Sequence, residues 1–415
     1  MKIFDSKFFI VYLITFINGL SFTMLIPVFP FLLKTYNQPE IILGLLVAGY
    51  SFFQFFAAPL IGSLSDKYGR KPIMLLTQFG TFLSWIILAI AYFLPEVQLF
   101  GIVLLPIFII FLSRIADGIT GGNMSVLNAM ISDMTTIKER TSIFGKNGAI
   151  MGVTLIIGPS LGAFSMNSSI GFLGTAILGG LVSAIALGII FFKMKESLKE
   201  KNKKKELKIS FKNINIFNTI IKYWHIPTIK FSISIKLLMF FAFTMYTTVS
   251  VLYLIDTFGF TELTVGYYLI FTGSVLILHQ SYTIQPIIRI FGDLKGLILG
   301  QSTMFLGYLG MGLSPNIYLY TFAYFFAILG IALSMTTLQS LFSKSADEKS
   351  QGEIMGMSAS LDSFISIFAP IIGTFIYGIT NISIFIFISG IPFISLLLYI
   401  FVFKKILTSY ENFCK

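Results

Sequence analysis

Gly62-Ser63-Leu64-Ser65-Asp66-Lys67-Tyr68-Gly69-Arg70-Lys71-Pro72 separates two long apolar runs, residues 41–62 and 73–94. About 20 apolar residues are enough to cross a bilayer as a helix. The stretch therefore reads as a short charged turn between two membrane helices. Two glycines, Gly62 and Gly69, suit a tight turn. Four charges, Asp66, Lys67, Arg70 and Lys71, fall within six positions.

Working outward, the pattern repeats. The chain is 56% hydrophobic and only 11% charged, with a mean hydropathy of +0.88; soluble domains carry about 25% charged residues. Such a chain must face lipid over most of its surface. Apolar runs occur at 8–33, 41–62, 73–94, 100–131, 143–165, 170–192, 229–255, 264–288, 295–314, 317–342, 352–379 and 382–403, twelve in all. Helices satisfy their backbone groups within one segment, and the runs lack the alternation of a barrel. The expectation is an all-α membrane protein of twelve transmembrane helices. The first run lacks a small-residue cleavage site and reads as a retained helix. The single cysteine, Cys414, excludes an intramolecular disulfide.

The net charge of +11 is unevenly placed: residues 193–230 hold eleven Lys and three Glu, a net of +8. Basic loops stay in the cytoplasm, and Lys2, Lys7, Lys404 and Lys405 agree. Loops on the other side carry Glu96, Asp256 and Glu262, with Lys34 the exception. Both termini are expected in the cytoplasm. A lysine run also suits nucleic acid, but this one lies between two sets of spans, so no nucleic acid is expected. The basic segment divides the chain into a six-helix bundle over 1–192, a cytoplasmic linker over 193–229 and a second bundle over 230–415. Ile209, Phe211, Ile214, Ile216 and Phe217 suggest a short amphipathic helix on the inner surface. Arg289-Ile290-Phe291-Gly292-Asp293-Leu294-Lys295-Gly296 echoes the opening stretch between spans eight and nine, as parallel repeats would.

The G-x-L-x-D-x-x-G-R-K pattern at 62–71 resembles the loop between helices two and three of major facilitator superfamily transporters. Span four contains Arg114-Ile115-Ala116-Asp117-Gly118, similar to the family's R-x-x-x-G element. Span five contains Gly145, Gly148 and Gly152, then Gly158-Pro159-Ser160-Leu161-Gly162, which resembles the antiporter motif of drug exporters. Thr154 and Ala163 stand where that motif usually has Gly. Small residues let helices approach closely, and Gly-Pro permits a bend. Ile26 to Pro30, Tyr50 to Pro59, Leu338-Gln339, Gln351-Gly352 and His279 extend the likeness to the tetracycline exporters among the drug:proton antiporters. Where those exporters carry intramembrane aspartates, this chain has Asn18, Ser84 and Met304, which argues against tetracycline itself. The resemblance implies two bundles around a central cavity that rock to alternate access.

Ionisable groups inside spans are expensive and usually functional: here they are Arg114, Asp117, Lys236, His279 and Asp362. Arg114 and Asp117 share a helix face. A neighbouring cation keeps a carboxylate ionised, and burial opposes this; a substrate that draws Arg114 away makes Asp117 easier to protonate. A permanent ion pair is the alternative. Asp362 has no cation near it in sequence, and either carries a proton or bonds to Ser358 or Ser366. His279 has the intrinsic pKa of a relay, or is a neutral, hydrogen-bonded histidine. Lys236 is placed to snorkel to the inner surface. Asn18, Tyr50, Gln54, Arg114, Asn123 and Gln339 are candidates for the substrate cavity. The resemblance makes Gly62, Asp66, Gly69, Arg70 and Lys71 a cytoplasmic latch, with Asp66 at a helix N-terminus of the other half and Arg70 on Asp133.

These readings converge on proton-coupled export of a small amphipathic drug-like molecule from a bacterial inner membrane, by a monomer. Small-molecule substrate, protons and the bilayer are the expected partners. No cofactor, metal or enzymatic activity is expected, and no G-x-x-x-x-G-K-[ST] occurs. The rivals are a porter for a native metabolite (siderophore, sugar or organic anion) and a non-transporting receptor or scaffold.

Overall fold

The computed structural model describes residues 8–99, 101, 103–200, 203, 216–345, 351–380 and 383–403. Lys2, Lys7, Ile209, Phe211, Ile214, Lys404, Lys405 and Cys414 lie outside them. Fifteen α-helices run in chain order: α1 Phe9–Thr23, α2 Leu25–Thr35, α3 Ile41–Tyr68, α4 Arg70–Tyr92, α5 Leu105–Thr120, α6 Asn123–Met134, α7 Ile137–Met166, α8 Phe172–Lys193, α9 Ile216–Tyr223, α10 Pro227–Phe258, α11 Glu262–Leu278, α12 Ile284–Leu313, α13 Ile317–Lys344, α14 Gln351–Ile379 and α15 Ile384–Leu398.

Among the described residues, eleven helical segments are long and apolar enough to cross a membrane. One of them, Glu262–Leu313, has 52 residues and would extend about 78 Å if straight, roughly twice a bilayer crossing. It is broken by a kink at Gly292, where φ is 73° and ψ 174°. Large apolar side chains such as Phe93, Phe192, Leu306 and Tyr318 stand exposed, as a lipid-facing surface requires.

The fourth run differs from its expected form. Residues Gln98–Leu99 pair with Val103–Leu104 in a small antiparallel hairpin, turned at Gly101 (φ 67°). The helix starts only at Leu105, because Pro106 favours a helix's first turn and lacks the N–H an interior position needs.

The chain forms two compact units. The first comprises Met1–Gln38, Leu45–Ser210 and Phe260–Ile270; the second comprises Pro39–Gly44, Phe211–Gly259 and Phe271–Lys415. In the first, α1 packs on α7, and α4 on α5 and α8. In the second, α10 packs on α14, and α12 on α13 and α15. The same pairing recurs six spans later, which is what an internal repeat produces. The first unit's core gathers Val11, Ile14, Ile61, Met74, Leu127, Met130 and Ile190. Ile284, Ala332 and Leu333 form a smaller core cluster in the second.

Candidate substrate and proton site

Span four is broken in its middle. Gly121 (φ −66°, ψ 7°) and Gly122 (φ −77°, ψ 3°) separate α5 from α6. A helix end leaves carbonyls without intrahelical partners, and Gln54 Nε2 donates to the Gly121 carbonyl at 3.0 Å. The same amide donates to the Tyr50 hydroxyl at 2.8 Å, so two side chains one turn apart on α3 are fixed together. Gly118 explains the approach of α5 to α3: a Cβ there would lie 2.6 Å from the Tyr50 carbonyl.

On the face so placed, Arg114 Nη1 lies 3.2 Å from Asp117 Oδ2. The guanidinium sits 5.5 Å from the Phe29 ring centre and 6.0 Å from that of Tyr50, within cation–π range. Arg114 is 3% exposed, and its Nε and Nη2 have no hydrogen-bond partner among the described residues. Unused donors on a buried cation are costly, so an acceptor brought by a ligand or by water is favoured here.

Asp117 lines a cavity of about 220 Å³ within the first unit. Its polar wall is Asn18, Ser21, Tyr50, Gln54, Thr81, Asp117 and Asn123; Phe22, Trp85, Met124 and Met151 supply the apolar wall. Pockets that bury a whole drug-sized ligand measure roughly 300–1,000 Å³, so this one accommodates part of such a molecule. Asn18 is 7% exposed, and neither its amide oxygen nor its nitrogen has a partner among the described residues. Five expected residues thus meet in one place. Ser21, Thr81, Trp85 and Met151 were not foreseen; Ser21 had a signal, a hydroxyl one turn from Asn18 in an apolar run. Of the positions aligned with exporter aspartates, only Asn18 reaches the cavity. Ser84 is fully buried and donates to the Thr81 carbonyl at 2.7 Å, and Met304 is fully buried on α12.

The remaining candidates belong to the second unit. Gln339 is exposed on α13. His279 opens a π-helical turn, His279–Thr283, and is 1% exposed. Its Nε2 lies 3.2 Å from the Phe325 carbonyl and its Nδ1 3.4 Å from Thr283 Oγ1. Lys236 does not snorkel: Nζ lies 2.9 Å from Asp362 Oδ1 and 3.0 Å from Oδ2, and donates to Ser358 Oγ at 2.7 Å. Asp362 therefore has a cation that lies 126 residues away in sequence. Ser366 donates instead to the Asp362 backbone carbonyl.

The charged turn is shorter than its sequence suggests. Helix α3 continues through Tyr68 and α4 begins at Arg70, so Gly69 alone makes the turn, with φ 103° and ψ 157°. Gly62 lies inside α3. Arg70 Nη1 reaches Asp66 Oδ1 at 2.6 Å, and its Nε reaches Asp133 Oδ2 at 2.9 Å. Glu196 accepts the Arg70 and Lys71 backbone N–H groups at 2.9 and 3.0 Å, capping α4 where a carboxylate is favoured. A Cβ on Gly69 would lie 2.6 Å from Glu196 Oε2. The second-half echo has the same backbone but reversed polarity. After Gly292 comes Asp293, which accepts from Ser340 Oγ at 2.9 Å and pairs with Lys344.

The glycines of span five fall into two groups. A Cβ on Gly158 would meet Thr23 and the Leu20 carbonyl, and one on Gly162 the Met24 carbonyl, so both allow α7 to close on α1 and α2. Gly145, Gly148 and Gly152 face open space within 4 Å, so close packing does not account for them.

Comparison with known proteins agrees with this architecture. The family model of the Major Facilitator Superfamily matches residues 11–356. The chain is 27% identical over 384 residues to tetracycline resistance protein, class H, of Pasteurella multocida, covering 90% of each. It is 28% identical over 373 residues to multidrug resistance protein 1 of Bacillus subtilis (strain 168), covering 88% of each. Among solved structures, the D-xylose-proton symporter superposes with a TM-score of 0.72 at 15% identity, over 97% of this chain and 98% of that one. With its repeated helix pairing, its glycine-turned charged stretch and a family match over most of its length, the chain belongs to the Major Facilitator Superfamily.

Proposed function

We propose that this protein is a secondary transporter that exports a small amphipathic, drug-like molecule in exchange for protons, by alternating access between two six-helix bundles, 1–192 and 230–415, joined by a cytoplasmic linker over 193–229. The observation that carries this is the cavity of the first unit, with Asp117 on its wall and Arg114 paired to it from behind. A carboxylate paired at 3.2 Å with a cation that keeps donors in reserve can trade that partner for a proton when a ligand engages Arg114. The tetracycline and multidrug resistance relatives support the direction and the class of cargo. Counting Glu262–Leu313 as two crossings makes twelve spans; with the basic linker inside, both termini face the cytoplasm of a bacterial inner membrane. Asp66, Arg70 and Asp133 then form an inner latch, and the protein works as a monomer. Tetracycline is a poor cargo, because Asn18, Ser84 and Met304 supply no carboxylate.

The test is proton movement in proteoliposomes with a pH-sensitive dye inside. Lipophilic cations, neutral drugs and anionic metabolites are added in turn under an imposed pH gradient. Proton release triggered by a drug-like compound and lost in Asp117→Asn is the expected result. A response confined to anionic metabolites favours the second reading, a metabolite porter, for which the reserve donors of Arg114 are the supporting observation.

A further inference from the structure

A second buried ion pair lies apart from the cavity of the first unit. Lys236 sits nine residues into α10 and Asp362 eleven residues into α14, about 14 and 17 Å from those helix starts. That is within membrane depth, where a charge must face a polar path or the bundle interior. The two ends of the pair are not equivalent. The Lys236 side chain is 13% exposed and has a second anchor, Ser358 Oγ at 2.7 Å. The Asp362 side chain is 32% exposed; its Oδ2 accepts from the Lys236 ammonium, while Oδ1, 2.9 Å from the same ammonium, is buried and has no hydrogen bond among the described residues. A ligand reaches the carboxylate first, and Lys236 keeps a neutral partner when the carboxylate is taken. The Phe240 ring, 6.0 Å from Lys236 Nζ, adds a π face beside the pair.

The other charges on α10, α14 and the helices packed against them sit near helix ends: Lys230, Asp256, Glu353 with Lys222, and Lys344 with Asp293; α15 carries none. The tyrosines of these helices are Tyr223, Tyr246, Tyr253, Tyr318, Tyr320, Tyr324 and Tyr377.

We propose that Asp362 is a second exchange site, at which a proton and a protonated amine of the transported molecule compete for one carboxylate, with Lys236 its built-in occupant when both are absent. A proton or an alkylammonium adds one positive charge at the same oxygens. Each therefore excludes the other, as exchange requires. The resident lysine keeps the empty site neutral, which lowers the cost of holding it inside the membrane. The inference rests on the transport reading above and adds to it a cationic substrate class and a second carboxylate.

The probe is rhodamine 6G, a lipophilic organic cation whose charge stays fixed near neutral pH, titrated by fluorescence into the purified full-length protein across a range of pH. Binding should tighten as pH rises. Asp362→Asn should weaken it by about tenfold or more and flatten the pH dependence. Lys236→Met, which removes the competitor, should tighten it. The double variant Lys236→Met/Asp362→Asn leaves no lone buried charge, so it tests the site even if Asp362→Asn fails to fold; it should bind like Asp362→Asn. Repeating the series in Asp117→Asn separates the two carboxylates. Unchanged affinity and pH profile in the double variant, weakened binding in Lys236→Met, or no binding by the wild type would each overturn the proposal. Proton-driven export of neutral chloramphenicol by the wild type would leave the transport reading standing in those cases. Absence of any proton-coupled flux would overturn both.

Discussion

At the scale of single residues, two positions carry most of the meaning. Asp117→Asn should leave a protein that folds and binds substrate but no longer accumulates it against a pH gradient; flux assays with and without the gradient check this, and retained proton-driven accumulation would remove Asp117 as carrier. Gly69→Ala puts a Cβ at φ 103° and against Glu196. Such backbone costs about 1–3 kcal/mol, so the variant should lose thermal stability in detergent, read by the temperature at which it aggregates. The Arg114–Asp117 pair could be read from sequence because residues three apart on a helix share a face. The partner of Asp362 could not, since α10 and α14 meet only after folding. Glu196 was equally hidden: it lies beyond the last helix of the first half, and nothing local marks it as the cap of α4.

At the scale of elements, periodic apolar runs made the spans legible, and their ends were the weak point. Helix α3 runs six residues past residue 62 because Ser63 to Tyr68 continue its backbone bonding, and charge alone does not end a helix. The break at Gly121–Gly122 was equally unmarked, as paired glycines in a span serve packing or breakage alike. Span five offers a direct comparison. Gly162→Leu should prevent α7 from closing on Met24 and reduce the yield of folded protein. Gly148→Ala, with open space around it, should fold as the wild type does; size-exclusion profiles of the two variants check both outcomes. The short helix α9 overlaps the expected amphipathic segment only at Ile216 and Phe217, and nothing local marked its attachment: Lys222 and Tyr223 both donate to Glu353 at the start of α14, at 2.7 and 2.8 Å. The Glu353 hydrogen bond holds the Lys222 ammonium above the usual lysine range.

At the scale of the whole molecule, the repeat is the organising fact. A one-line echo at 289–296 hinted at it, and helix pairing in the two units carries it through, down to a positive-φ glycine at each turn. The polarity did not follow: arginine meets aspartate after Gly69, whereas aspartate meets lysine after Gly292. Asp66→Asn should abolish transport while leaving folding intact, as one anchor of Arg70 loses its charge; wild-type flux would discard the latch. His279→Ala should leave the pH–rate profile unchanged, since the ring's partners are a carbonyl and a hydroxyl; a shifted profile would return it to the relay.

Helices of 28 and 23 residues, α3 and α4, share a joint one residue long. That joint has no slack, so the two behave as the arms of a crank: a tilt of one must swing the other. Spin labels at their far ends should therefore move together through the transport cycle. One extra glycine beside Gly69 would give the joint play, letting each arm move without its neighbour.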